Sequence, residues 1–313
     1  MTLTCAPPET LSDFQDQRFK YLYLSYQMGS MRAAADELGL AASSVSRQIS
    51  RLEAELDIEL VEQGTHRIRL TEAGQLAVDY YRTRLSHHEV LLDRLNDLRG
   101  RYLGTTIIAV GEGLLGARMI DELRSFFHNH PDTHTEIVIA PSYEVHRMIL
   151  EDEAHIGVIF SPPPSQSIRT LYSFEQPLRA IVHPDSPLAD KEKISLEELA
   201  ESSIVLPGPK FRVRAIADNA GRGTIKPSII SNSLQVILDF VRARIAITLL
   251  AELPIIPELQ AGTFKSIPVD CPTMNATDIQ IVVRQSRKLS PVSRDLINHL
   301  ARTIKKLCKQ ASA

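Results

Sequence analysis

The 313-residue chain has no tryptophan and only three cysteines, Cys5, Cys271 and Cys308. These lie far apart, in no CxxC and at no metal-ligand spacing. That excludes a disulfide scaffold and points to a cytoplasmic setting. No apolar run reaches the roughly 18 residues a transmembrane helix needs, so no membrane partner is expected. The opening segment MTLTCAPPETLSDFQDQ lacks a basic stretch followed by an apolar one, so no signal peptide is expected. GxSxG, HExxH and a Walker loop are all missing. Without a visible catalytic set, no enzyme and no cofactor are expected. Excess positive charge is absent too: the net charge is −3. The first 70 residues carry seven Lys and Arg against ten Asp and Glu. Any DNA-binding reading therefore rests on where the arginines sit, not on their number.

What is present is an ordinary globular composition, 43% hydrophobic and 23% charged. At roughly 150 residues per domain, about two domains are expected. Three textures follow one another. From about residue 12 to 70 the chain carries short helical patterns. Phe19, Leu22, Tyr23 and Tyr26 recur at helical spacing as a buried face. Gly29 ends that helix, and Ser30 can cap the next, MRAAADELG. Ala33, Ala34 and Ala35 are small enough for another helix to approach closely. A third helix then begins, with Ser43 or Ser44 as its cap. Val45, Ile49, Leu52 and Leu56 keep one of its faces apolar, while Ser43, Ser46, Arg47, Ser50 and Arg51 occupy the other. A helix, tight turn and helix with short polar and Arg side chains outward can enter a major groove. Gly64 then marks a turn, and the alternation around Arg67 and Arg69 reads as a small wing that also bears His66.

Thr71 caps the next helix, which runs to about residue 100. Tyr81, Leu85, His88, Leu92 and Leu95 repeat in steps of four and three along it. That seam predicts dimerisation. From Thr105 strand-like runs alternate with helices, which predicts a parallel, doubly wound sheet. Ser161-Pro162-Pro163-Pro164 interrupts the alternation and suits a crossover into a second lobe. A return near Ile267-Pro268-Val269 would close a cleft of the kind that binds small molecules.

Several motifs allow sharper chemistry. Gly111-Glu112-Gly113-Leu114-Leu115-Gly116 matches GxGxxG between a strand and a helix. A dinucleotide site also wants an acid at the end of the second strand, and Ala140-Pro141-Ser142 has none there. The better reading is backbone N–H groups facing an anionic effector, with Glu112 arguing instead for an amine. His128, His130 and His134 form H-x-H-x3-H at a helix end, which reads as a solvated terminus rather than a zinc site. Cys271 and Cys308 occupy no spacing that defends a redox pair.

The chain resembles the LysR-type transcriptional regulators over nearly its whole length. The resemblance rests on Gly29-Ser30, Ala33-Ala34-Ala35, Leu38, Val45-Ser46-Arg47-Gln48-Ile49, Leu52-Glu53, Leu56 and Leu70-Thr71-Glu72-Ala73-Gly74. His183-Pro184, Pro187-Leu188-Ala189, Gly262-Thr263-Phe264 and Ile267-Pro268 extend it. It implies an α/β chain with an N-terminal all-α winged helix-turn-helix over 1–71, a linker and dimerisation helix over 72–103, and a two-lobed α/β effector domain over 104–313. Lobe one would comprise 104–161 and 269–313, and lobe two 162–268. The partners implied are double-stranded DNA with an imperfect inverted repeat, a small-molecule effector, further copies of the chain as homodimer or homotetramer, and RNA polymerase.

Carried over residue by residue, the DNA-reading face is Ser43, Ser44, Ser46, Arg47, Ser50 and Arg51, with Arg32, Arg67 and Arg69 holding phosphates. The effector positions are Gly113, Leu114, Ser142, Ser161, Pro162, Pro207, Gly208, Pro209 and Asn232, beside Glu112. The chain departs from the family pattern at Ala42, where a Gln often reads bases, and at Asp57, Val61 and Gln63, where Gly, Phe and often Arg stand. It departs again at Arg244-Ile245-Ala246, in place of a glycine-rich run, so the turn there is expected to take a conformation open to other residues. The rival reading is a small-molecule binding protein or nucleotide-dependent enzyme whose N-terminal helices serve only assembly. An assembly helix would show apolar residues at positions 43, 46, 47, 50 and 51.

Overall fold

The computed structural model describes residues 16–62, 67–98, 105–114, 116–131 and 133–311. The chain forms two compact units, with the boundary between His88 and Glu89.

The first unit packs helices α1 (Asp16–Gln27), α2 (Met31–Leu38), α3 (Ala42–Leu56) and the first part of α4 (Glu72–Leu98). Phe19 and Leu22 of α1, Ala35 of α2 and Val45, Ile49 and Leu52 of α3 share one buried cluster with Leu60 and Val78. The caps follow local rules. Ala33 N donates to Ser30 Oγ at 3.0 Å, and Gly74 N donates to Thr71 Oγ1 at 3.0 Å. Such caps contribute about 1 kcal/mol each. Gly74 is also a steric necessity, because a Cβ there would lie 1.9 Å from the Leu60 carbonyl oxygen.

The expected cap on Ser43 or Ser44 is displaced. Ala41 is the extended residue before α3 and caps with no side-chain bond. An N-cap must leave the helical region, and Ala41 does so at ψ 139. Both serines therefore fall in the first turn, and neither hydroxyl is used in capping. Asp57 ends α3 at φ +52, in the left-handed conformation a glycine would adopt without strain. Glu53 then accepts from Leu60 N and Val61 N at 2.9 and 3.2 Å. At the base of the wing Val61 and Leu70 form an antiparallel bridge, with Glu62 N donating to Arg69 O. Gln63, Gly64, Thr65 and His66 lie outside the described residues.

The second unit contains β1 (Thr105–Gly111), α5 (Ala117–Asn129), β2 (His134–Ala140), α6 (Ser142–Leu150), β3 (Ile156–Phe160) and β4 (Ile168–Glu175). It continues with β5 (Arg179–Val182), α7 (Leu196–Glu201), β6 (Val205–Leu206), α8 (Arg212–Ala220), β7 (Ile229–Ile230), α9 (Leu234–Arg242) and β8 (Thr248–Leu250). Then follow α10 (Ile256–Gln260), β9 (Lys265–Pro268), α11 (Pro272–Asn275), β10 (Asp278–Arg284) and α12 (Pro291–Ala311). Among the described residues three sheets form, ordered β2-β1-β3-β10-β4, β8-β5-β9 and β6-β7. The five-stranded sheet is mixed, not wholly parallel as the alternation predicts: β10 runs antiparallel to both β3 and β4.

The lobe crossover is not at Ser161–Pro164. The prolines end β3 because they cannot donate to a ladder, but the chain turns back and β4 pairs with β10 from Ile168↔Arg284 to Asp278↔Glu175. Ser161 N donates to Asp278 O at 2.7 Å and holds the turn to the first sheet. The expected division at 161/162 therefore cuts that sheet. The chain crosses farther on, where Gln176 N bonds to Thr277 O and Leu178 N to Met274 O, both at 2.9 Å. Outgoing and returning segments are tied together there, with Thr277 Oγ1 donating to Gln176 O at 2.7 Å.

The turn at Arg244 overturns another expectation. It keeps the left-handed conformation at φ +62 without a glycine. Arg244 also pairs with Asp185.

In the turn after α6, Asp152 sits with its side chain 7% exposed between Arg284 and Arg287, each 4% exposed. Glu89, on the later part of α4, pairs with Arg287.

Candidate DNA-binding face and ligand cleft

In the first unit, burial of Val45, Ile49 and Leu52 forces the opposite side of α3 outward. Ser43, Arg47, Ser50 and Arg51 are exposed, and Ser44 and Ser46 are half-buried. Arg32 on α2 and Arg67 and Arg69 at the wing base are exposed as well. Ile68 N donates to Gly29 O at 3.1 Å, which anchors the wing base to the α1–α2 turn. Neighbouring acids are engaged elsewhere: Glu53 holds the chain after α3, and Glu55 pairs with Arg18. Among the described residues no ion pair engages Arg47 or Arg51.

Of the five seam residues, Tyr81 turns inward. It is half-buried, its ring lies 5.3 Å from that of Tyr23, and burial raises its hydroxyl pKa. Leu85 is half-buried, and His88, Leu92 and Leu95 are exposed. The sequence reading missed Leu76, Tyr80 and Leu91, all exposed on α4.

In the second unit, a narrow cavity of about 50 Å³ lies between the two sheet systems. Glu112 and Leu114 line it from the turn after β1, and Pro141 and Ser142 from the start of α6. The facing wall is Phe211, Arg212 and Val213 at the start of α8, with Leu250 and Pro254. Arg212 Nε donates to Ser161 O, Glu112 Oε1 accepts from Leu234 N at 3.4 Å, and Lys210 Nζ lies 5.8 Å from the Tyr143 ring centre. These three contacts join the walls. One cation, one carboxylate, an uncapped helix start at Pro141 and apolar rings form an environment for a small polar ligand with an apolar body.

Of the expected effector positions, Glu112, Leu114 and Ser142 line this cavity, and Ser161 contributes its carbonyl. Gly113, at φ +84, packs so closely that a Cβ would lie 3.0 Å from Leu234 Cδ2. Pro207, Gly208, Pro209 and Asn232 are not among its lining residues, although Gly208 abuts Asn232. Pro162 lines a different cavity. Sequence reasoning missed Phe211, Arg212 and Pro254. The one available signal was a helix start, FRVRAIADNAG, after a Pro-Gly-Pro turn. Among the described residues, no three His, Cys, Asp or Glu side chains come together as a metal site. His130 packs on Phe126 at 4.5 Å instead.

Residues 17–75 match the model of the bacterial regulatory helix-turn-helix protein, lysR family, and residues 99–305 match the LysR substrate binding domain. A probable RuBisCO transcriptional regulator of Trichormus variabilis is 24% identical over 252 residues, 77% of this chain and 74% of that protein. Full-length OxyR from Pseudomonas aeruginosa superposes with a TM-score of 0.63 at 18% identity, covering 93% of this chain and 94% of that one. Full-length BenM gives 0.51 at 24% identity, covering 94% and 96%. The structural likenesses share the fold with this chain.

Proposed function

The chain belongs to the LysR family of bacterial transcriptional regulators, and on that premise we propose which of its residues read DNA and which bind its effector. Ser43, Ser46, Arg47, Ser50 and Arg51 of α3 enter a major groove. Arg47 and Arg51 supply the strongest contacts, since a guanidinium can bond bidentately to a guanine edge. Arg32, Arg67 and Arg69 hold phosphates. The observation that carries this reading is the outward face of α3: Ser43, Arg47, Ser50 and Arg51 stand exposed on it, and no ion pair engages Arg47 or Arg51 among the described residues. An assembly helix would be apolar there, so the binding-protein and enzyme readings fall behind.

The effector binds in the narrow cleft, against Arg212, Ser142 and the apolar rings. The exposed Leu76, Tyr80, Leu91, Leu92 and Leu95 of α4 bury against a second copy, and dimers pair into tetramers. The protein works in the cytoplasm. Among the described residues no helix is long and apolar enough to cross a membrane. RNA polymerase is the further partner expected of a regulator that acts at promoters.

The test is selection of DNA from the fragmented source genome with purified protein, repeated with Arg47→Ala. Enrichment of one imperfect inverted repeat, lost in the variant, supports the reading and identifies the target promoter. Enrichment that survives in the variant removes Arg47 from its assigned role.

A further inference from the structure

We propose that the lobe built on the five-stranded sheet carries a second ligand site, separate from the cleft, for a small uncharged molecule with one aromatic ring. The site is a cavity of about 310 Å³ on the α6 face of the sheet. The cleft cavity, by comparison, holds about 50 Å³. Sites for small organic molecules begin at roughly 300 Å³, so the lobe cavity has room for a ring where the cleft, in this conformation, does not.

Its origin is in the topology. A single helix, α6, covers this face and packs with Ile159 and Val282 in one buried cluster. The edge strand β4 extends beyond that cover, and Thr170 on it is exposed. The Pro162–Ser165 turn forms the outer wall. That wall is held in place at its start: Ser161 N bonds to Asp278 O at 2.7 Å, and the Ser161 carbonyl accepts from Arg212. A preformed wall lowers the ordering cost of binding.

The lining chooses the ligand. Among the described residues, no Asp, Glu, Lys or Arg lines the cavity. The polar floor is neutral: Thr170 Oγ1 donates to Gln280 Oε1, and Gln280 Nε2 donates to Asp278 Oδ2, both at 2.8 Å. Asp278, behind that floor, also accepts from Ser173 Oγ. His146 is the remaining titratable group in the wall. Burial lowers its pKa and favours the uncharged ring, and among the described residues its buried Nε2 has no hydrogen-bond partner. An ion entering here would lose hydration and gain no opposite charge. A neutral ring meets flat proline faces and the Ile159 and Ile168 side chains, and its polar substituent meets the Gln280 amide.

The test uses the full-length protein with labelled isoleucine δ1-methyls and three molecules of one shape and different charge: benzamide, benzoate and benzamidine. Benzamide is expected to move the Ile159 and Ile168 resonances saturably in the millimolar range, with the two ions at least about tenfold weaker. Thr170→Phe fills the cavity and is expected to abolish the shifts while the other methyl resonances keep their positions. Gln280→Met keeps the volume, removes the amide, and is expected to weaken benzamide several-fold, which keeps the proposal testable if Thr170→Phe fails to fold. Unmoved methyls with benzamide, equal binding of either ion, or unchanged benzamide binding in a folded Thr170→Phe or Gln280→Met variant would overturn the assignment.

Discussion

Two pairs of arginines, one in each unit, are used in opposite ways. On α3 of the first unit, Arg47 and Arg51 stand exposed. In the second unit Arg284 and Arg287 are buried and share Asp152, and Arg212 is fixed to the Ser161 carbonyl. The same side chain is left available in one place and committed in the other. Burial decides which. A guanidinium in water needs no partner and can wait for DNA, while a buried one without a partner costs several kcal/mol. Net charge is therefore a poor guide to function here, because it does not separate exposed arginines from those buried against a carboxylate.

The comparison can be broken most forcefully at Asp152. Asp152→Ala removes the carboxylate shared by two buried guanidiniums, leaving Arg287 with Glu89 alone, and is expected to destabilise the second unit by about 3 kcal/mol in chemical denaturation. A loss below about 1 kcal/mol would mean that these arginines do not depend on their pairing. In the first unit the corresponding weak point is steric. Gly74→Ala drives a methyl into the Leu60 carbonyl, and a loss of about 3 kcal/mol in the same assay is expected.

A smaller effect comes from His155. Burial, with Arg287 beside it, holds its pKa at about 4, below the ordinary 6.5. Between those values the unfolded chain takes up a proton that the native imidazole refuses, so stability falls as pH drops from 6.5 towards 4. At pH 5 the expected loss is on the order of 1–2 kcal/mol, read as a lower melting temperature that His155→Gln restores in part. The smallest effect is a gain. Arg244→Gly removes a side chain from a left-handed turn at φ +62 and gives up an exposed ion pair with Asp185. A net stabilisation of about 1 kcal/mol is expected, and a loss would show that the ion pair outweighs the strain.

What could be read from the sequence was local. Ser30 and Thr71 declare their caps, and Val45, Ile49 and Leu52 declare the buried face of α3, because each signal lies within a few residues of its effect. The second unit hid more. β4 alternates weakly and is exposed at Arg169, Thr170, Tyr172 and Ser173, as an edge strand can be, so IRTLYSFE carries little strand signal. The crossover was misplaced because prolines mark the end of a strand without saying where the chain goes next. Arg212 was invisible as a cleft residue, since only the folded lobes bring it to Ser161, 51 positions away. At Arg244 tertiary contacts hold a conformation that residue type alone argues against.

The most direct test is a binding titration on the selected operator with wild-type protein, Arg47→Ala and Arg212→Ala side by side, without effector. The outward arginine is expected to lose at least about tenfold in affinity on truncation, while the cleft arginine leaves DNA binding within about twofold of wild type. Wild-type affinity in Arg47→Ala, or equal losses in the two variants, would contradict the division of labour between the two units.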